Sequence, residues 1–479
     1  MKYSVGIDLG TTNSACCTMK NGKFEMIKLS RRNEILPSVL MYTIDGGIKV
    51  GEDAKKRANM NPNNYIKSSK TFMGDNKIWN IDDESFSPTI VASELLKSIN
   101  KSAKTFFKTE ETISAVITVP AYFTSKQREE TKKAGEMAGF KVEGIITEPV
   151  AAALAYGYEE DKDQTILVVD LGGGTFDVTI LKIDNNKYNT LAIEGDSKLG
   201  GDNFDQVILN IFLKKIRTEF GIDLSRFENL GLDKLTYNKS LQILNEKAEE
   251  AKILLSQSEY VDISIPNFIP GKSLECSITR EEFKSHSFVL LSKIRRTINN
   301  AIIDADIDAD DIDKVILVGG SSNIPFIREI VREILDKEPY SNMDLSKIVA
   351  MGAALKANIN ETGITDIEDI TAHSLGIKVI GNKFSVIIPK GTSYPTSMTE
   401  VYTTTVDYQE VIDVSVYEGE DELVTNNKPY GGFKLSNIQN ALKGIPKIDV
   451  TFEFDKNQIL HVKAKDRVTG TSGMKIIRL

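Results

Sequence analysis

The chain has 479 residues, 41% of them hydrophobic, so it is globular and long enough for roughly two to four domains. Its 59 basic and 68 acidic side chains leave a net charge of −9, with no cationic surplus to hold a nucleic-acid backbone. Three cysteines at unrelated spacings, Cys16, Cys17 and Cys276, give neither a disulfide framework nor a metal site. The N-terminus runs straight into a strand rather than a signal peptide, and no apolar run reaches about 18 residues. These features predict a soluble, cytoplasmic protein with no membrane attachment.

Residues 1–30 read as a β meander, with Cys16 and Cys17 as core filling on a strand. A helix is expected over 52–59 and an amphipathic one over 89–109, with Ile90, Ala92, Leu95, Leu96 and Ile99 on its apolar side. A strand at 113–119 ends at Pro120, a helix starts at Ser125, and 141–147 is another strand. Glu148 and Pro149 open a helix that Gly157 ends, proline being tolerated in a first turn. Helices follow at 203–220, 234–256 and, as one long element, 281–305. Residues 314–325 read as strand, glycine turn and helix start, and 348–356 as a closing helix. After about residue 360, Val, Ile, Thr, Tyr and Lys alternate between glycine turns, the pattern of a β-sandwich. The acidic stretch 361–369 reads as the linker.

The stretch 170–177, D-L-G-G-G-T-F-D, joins two apolar strands through three glycines. Such a tip exposes backbone N–H groups that phosphate oxygens can approach closely, although an ordinary glycine-rich hairpin has the same pattern. Its flanking carboxylates suit a hydrated divalent metal or monovalent cations. Residues 8–14, D-L-G-T-T-N-S, repeat the grammar of strand, Asp-Leu-Gly, Thr and strand. Two such hairpins suggest duplicated lobes facing one another across a nucleotide, which favours the phosphate-binding reading.

Further motifs lie in order: V-P-A-Y-F at 119–123, E-P-V-A-A-A-L-A-Y-G at 148–157, L-G-G-D-N-F-D at 199–205, E-E-A-K-I-L-L-S at 249–256, V-G-G-S-S-N-I-P at 318–325 and S-L-G-I at 374–377. With the two hairpins, they make the chain resemble the seventy-kilodalton heat-shock chaperones (DnaK type) over nearly its whole length. K-E-P-Y at 337–340 and I-V-A-M-G-A-A at 348–354 are similar to the compact HscC-like branch. The resemblance implies an α/β, two-lobed actin-like ATPase domain over 1–360, a linker over 361–370 and an all-β sandwich that binds peptide over 371–479. It also implies ATP/ADP, Mg²⁺ and K⁺ as cofactors, extended polypeptide segments as clients, and a J-domain co-chaperone and a nucleotide-exchange factor as partners.

Carried over by position, the resemblance gives Gly10, Thr11, Thr12 and Asn13 to the first phosphate loop and Gly172, Gly173, Gly174 and Thr175 to the second. Lys70 matches the lysine that reaches the γ-phosphate and attacking water, Glu148 and Asp170 the carboxylates that orient water and hydrated Mg²⁺, and Asp8 and Asp177 further cation-side carboxylates. Taken alone, Lys70 could be a solvated side chain and Glu148 a helix-terminal charge. Glu249, Lys252 and Ser256 share one helix face, a pattern that fits ribose and adenine contacts but also a solvated face. Gly200, Gly201, Gly319, Gly320 and Ser321 would let the nucleotide pass near backbone. Asn323 stands where the family often carries a stacking arginine, and Ile253 offers only apolar contact, so weaker nucleotide binding is expected. In the sandwich, Ile377, Ile380, Tyr402, Ile412 and Val414 align with the peptide pocket, and Ile380 and Thr405 with the arch over it. For any single isoleucine, plain sandwich core is the competing reading.

Pro120, Arg128 and Asp369 match a relay between the domains, while Gly144 replaces a basic residue tied to J-domain stimulation. The linker is acidic where the family's is leucine-rich, and so has less apolar surface to bury on docking. The sequence stops at Leu479, where the helical lid would begin, which corresponds either to a trimmed chain or to a natural lidless form with fast peptide release. Two further readings compete: a non-hydrolysing nucleotide-binding scaffold or exchange factor, and a filament protein or small-molecule kinase of the actin-like superfamily. The sandwich argues against the second.

Overall fold

The computed structural model describes residues 3–476 apart from 161–162, 186, 226, 341–343, 345–346, 359–365 and 456–459. Two sheets repeat one plan. In the first, Ser4–Leu9 pairs antiparallel with Asn13–Lys20, which pairs with Lys23–Met26. Ser114–Val119 and then Lys141–Thr147 add in parallel on the other side. In the second, Gln164–Leu171, Phe176–Asp184 and Lys187–Asp196 form the antiparallel meander, and Lys314–Val318 runs parallel to its first strand. Tyr340 bridges Ile316 in parallel, where the first sheet has its fifth strand. The fold is thus a duplicated α/β unit followed by an all-β sandwich, and both first strands deliver an aspartate, Asp8 and Asp170, to a hairpin tip.

Small side chains let the halves pack. The helix Glu148–Glu160 carries Ala151, Ala152, Ala153 and Ala155, all fully buried, against the helix Ile348–Ala357. A Cβ on Gly352 would lie 1.7 Å from the Ala151 carbonyl oxygen, so the two backbones meet with no room for a side chain. Leu154, Ile166, Val168, Ile316 and Ile348 complete this central core, and larger cores fill each lobe.

One expected helix is two. Arg280–His286 and Phe288–Asp304 are separated at Ser287, whose hydroxyl donates to the Phe283 carbonyl at 2.8 Å. Such back-bonding competes with the helical ladder and bends it, a local effect that apolar periodicity does not register.

The sandwich joins two four-stranded sheets. One holds Lys383–Ile388, Leu375–Val379, Val411–Glu418 and Lys428–Ser436 in that order, the other Thr396–Tyr402, Ile448–Phe454, Leu460–Asp466 and Ser472–Ile476. Ile448, Val450, Phe452 and Phe454 alternate inward against Leu375, Val414 and Val416.

Residues 361–365 of the expected linker lie outside the described residues, as do 477–479, where the chain's end prompted the lid reading. Beyond residue 365 the linker is docked: Asp366–Glu368 pairs in parallel with residues 187–189 at the edge of the second sheet, and Lys187 bonds Glu368 at 2.7 Å. The acidic linker therefore uses ladder hydrogen bonds and an ion pair where the sequence offered little apolar area. The sandwich also rests on both lobes. Lys390 pairs with Glu194 and, at 2.8 Å, with Asp304, while Ala121, Ile193, Ile370 and Ala372 make a small apolar contact. Neutral His373 donates from Nε2 to the Tyr122 carbonyl at 3.2 Å, and Glu418 accepts from the Ser125 backbone N–H at 3.3 Å. Among the described residues no helix is long and apolar enough to cross a membrane.

A branched side chain at the helix contact should be costly. Gly352→Val is expected to destabilise the protein by about 3 kcal/mol through overpacking, read as a lower thermal midpoint with the nucleotide-free protein.

Candidate active site

The two hairpin tips meet across a cleft of about 300 Å³. A Cβ on Gly173 would stand 1.8 Å from Thr12 Oγ1, so only glycine lets the second tip come this close to the first. The Gly172 N–H closes its turn on the Thr175 carbonyl at 3.0 Å, and the helix Gly201–Phe220 is seated on the same turn by bonds from Gly201 and Asp202 N–H to the Gly172 and Gly173 carbonyls at 2.9 and 2.7 Å. Gly10, Thr11, Thr12, Asn13, Gly172, Gly173 and Thr175 line the cleft from the two tips.

Lys70 comes from a short 3₁₀ turn, Ser69–Phe72, and is 5% exposed. Its Nζ donates to Glu148 Oε1 at 2.5 Å, and Glu148, the first residue of its helix, is 7% exposed. Around this pair sit Asp8, Asp170 and Asp177. Burial pushes Asp8 up to about 7, with the Glu148 charge adding to the rise, while Thr118 donates to it at 3.2 Å. Asp170 is driven upward by burial first and by Glu148 next. Burial likewise takes Asp177 up to about 7, although its Oδ1 accepts the Tyr122 N–H at 2.8 Å. Four carboxyl groups against one ammonium leave excess negative charge, and the donor set is hard oxygen throughout. That fits a divalent cation. Among the described residues no group of three or more His, Cys, Asp or Glu side chains is set to hold a metal ion by itself.

Glu249, Lys252, Ile253, Gly319, Gly320 and Ser321 line the other side of the cleft. Lys252 bonds Asp205 at 2.8 Å, and burial raises Asp205 to about 6 against the pull of that lysine. Other expected residues stand off the cleft. Gly174, Gly200 and Gly201 lie behind it, the Ser256 hydroxyl is turned back to the Lys252 carbonyl at 3.1 Å, and Asn323 Nδ2 bonds the Gly320 carbonyl at 3.0 Å. Asp177 too is set back from the wall. Sequence reasoning missed Gln242, Asn245 and Glu246, which also line the cleft. The helical spacing that singled out Glu249 and Lys252, extended two turns backwards, would have found them. Across the mouth, Lys55 reaches Glu249 at 3.8 Å, Asn59 bonds Glu246 at 2.6 Å and Asn63 accepts from Asn238 at 2.6 Å.

The relay residues meet at the domain junction. Arg128 is buried and donates to the Phe123 and Ala121 carbonyls at 3.1 and 2.9 Å, tying down the loop after Pro120. Burial drives the Tyr394 phenol upward, the Asp369 charge raising it further and Arg128 opposing, so both charges act on one buried hydroxyl. Gly144, on its strand, has open space where a side chain would project.

The expected peptide pocket divides. Ile377 and Val414 belong to the closed sandwich core, Tyr402 and Ile412 pack at its margin, and Ile380, 72% exposed, and Thr405 stand outside. Tyr402 shares a hydrogen bond with Ser385 at 2.9 Å, and the Thr405 N–H donates to Gln409 at 3.0 Å.

A family model described as Hsp70 protein matches residues 4–81 and 76–478. The chain belongs to the Hsp70 family. Hsp70 proteins are ATPases that bind ATP or ADP with Mg²⁺ and act as chaperones on client polypeptides together with co-chaperones, so this Hsp70 has a chaperone role in general terms.

Removing the ammonium tests the charge arrangement. Lys70→Met should lower single-turnover ATP hydrolysis at least about a hundredfold, the scale of losing one preorganised electrostatic contact. Nucleotide affinity, measured separately by calorimetry, should change far less.

Proposed function

We propose that this Hsp70 hydrolyses ATP in the cleft and thereby controls how tightly the sandwich holds extended apolar segments of unfolded proteins. The observation that carries the reading is one shared sheet: the strand ending in Asp170 and Leu171 and the linker strand Asp366–Glu368 belong to the same five-stranded sheet. A shift at the phosphate end is therefore transmitted through packed strands to the linker. The relay of Pro120, Arg128 and Asp369 would report from the first lobe.

Residues 1–360 form the ATPase domain in this reading, 361–370 the linker and 371–479 the peptide-binding domain. The hairpin tips bind phosphate oxygens through backbone N–H groups and threonine hydroxyls. Lys70 neutralises charge that develops on the transferred phosphoryl group, and Glu148 accepts a proton from the attacking water. Mg²⁺, when bound near Asp8 and Asp170, supplies charge neutralisation to the phosphates. Asp177 is the candidate partner for a monovalent cation such as K⁺. Glu249 and Lys252 support ribose and base recognition. Ser256 and Asn323 would need to turn inward to join it. Ile380, Tyr402, Thr405 and Ile412 would contact peptide over the core residues Ile377 and Val414. A J-domain protein and an exchange factor are the expected partners, the cytoplasm the expected location and the HscC-like branch the expected subgroup.

Steady-state hydrolysis with and without an unstructured apolar peptide, in wild type and Lys70→Ala, tests this. Lysine-dependent hydrolysis that rises with peptide is the expected result. Hydrolysis without a peptide response would remove the coupling, and no lysine-dependent hydrolysis would leave a nucleotide-binding scaffold.

The linker contact gives a second expectation. Lys187→Glu should weaken peptide stimulation several-fold, and adding Glu368→Lys should restore part of it by rebuilding the pair with opposite polarity.

Glu418 gives a third, in pH. Burial raises its carboxyl from an ordinary 4.5 to about 7 in the docked state, against the Ser125 N–H, Arg128 and Lys428, with Glu420 adding to the rise. Docking therefore carries the cost of a buried charge above about pH 7 and sheds it as pH falls. His373 acts the other way: burial lowers it from 6.5 to about 4, so protonation opposes docking below pH 6.5. Glu418→Gln should raise hydrogen-exchange protection of the linker strand at pH 8 and leave the loss below pH 6.5 in place.

A further inference from the structure

We propose that the depression where the two lobes and the sandwich meet binds a multiply charged phosphate anion, which clamps the sandwich onto the ATPase domain. The depression, of about 380 Å³, takes Tyr122 from the first lobe, residues 195–197 with Lys293, Arg296 and Thr297 from the second, and His373 and Lys428 from the sandwich. Three permanent cations converge there on one carboxylate. Asp196 Oδ2 stands 3.8 Å from Lys293, and its Oδ1 accepts the Lys198 N–H at 2.9 Å. Arg296 forms no ion pair among the described residues. Lys428 lies within electrostatic reach of buried Glu418 and of His373 but likewise forms none.

On a chain with a net charge of −9, three cations facing one carboxylate are not background. The guanidinium of Arg296 can take two phosphate oxygens at once, and the two lysines act as point charges beside it. Ser197 and Thr297 add hydroxyls. The volume accommodates pyrophosphate with bridging water.

The walls fix what binding would do. Lys293 and Arg296 ride on the helix Phe288–Asp304, whereas Lys428 and His373 ride on the sandwich, so the site is complete only when the domains are docked. An anion that binds the docked state alone shifts the equilibrium toward it. Ordinary salt has the opposite effect, because it screens Lys187 from Glu368 and Lys390 from Glu194 and Asp304. The two influences differ in sign, which separates a specific anion from ionic strength. The inference rests on the docked arrangement and on no step of hydrolysis.

The test follows hydrogen exchange of the linker strand Asp366–Glu368 in the full chain, at fixed nucleotide and free Mg²⁺. Pyrophosphate and inorganic phosphate are compared with sodium chloride of equal ionic strength. Pyrophosphate should slow exchange at least about threefold and chloride should speed it. The double variant Arg296→Ser with Lys428→Ser should lose the pyrophosphate response while hydrolysing ATP at the wild-type rate, which shows that it is folded. Equal effects of pyrophosphate and chloride would overturn the proposal. So would a pyrophosphate response that persists in the double variant, because it would then arise in the nucleotide cleft. A linker strand unprotected under every condition would overturn the docked arrangement and the site with it. Hydrolysis that fails while the anion response stands would leave this site intact and remove only the ATPase reading.

Discussion

The close approach of the two hairpin tips governs this molecule. Because Gly173 approaches Thr12 with no room for a side chain, the hairpin tips of the two lobes form a single surface. That approach needs both lobes held at a fixed angle, which the Gly352–Ala151 contact beneath them supplies. Helix seats, glycine turns and the alanine-rich helix Glu148–Glu160 are all consequences of bringing main chain to main chain. Side-chain chemistry is then arranged around the gap.

Electrostatics in the gap is unbalanced. A single buried ammonium faces several buried carboxyl groups, and their upward shifts measure how poorly the protein alone solvates that charge. Such a cluster is stable only because part of it stays protonated or meets a cation. The domain junction has a milder form of the same tension, with Glu418 raised and His373 lowered within one interface.

That the two hairpin tips, Lys70 and Glu148 belong to one cleft, and that α/β lobes precede a sandwich, was legible because each depends on residues close in sequence or on motifs with fixed spacing. Lys70 shows the limit: its neighbours alone do not separate it from a solvated lysine, and its burial against Glu148 depends on a contact 78 positions away. Glu418 against Ser125, 293 positions apart, carried no sequence signal at all. Asp205 lay inside a quoted motif, yet its pairing with Lys252 needs two helices in register. The break at Ser287 was hidden because apolar periodicity continues across it. The linker misled for a different reason. Its composition describes side chains, whereas its docking uses backbone, which every sequence possesses.

That backbone docking has a structural price on release. The strand Lys187–Asp196 is the border of a five-stranded sheet, and the short strand Asp366–Glu368 covers the start of that border. When the linker lifts, residues 187–189 present unpaired N–H and C=O groups, the template on which foreign strands add. The linker strand is then an edge guard as well as the connection from the lobes to the sandwich. At three residues the linker strand is itself a poor template for further pairing, and Glu368, held by Lys187, keeps a charged pair at that edge.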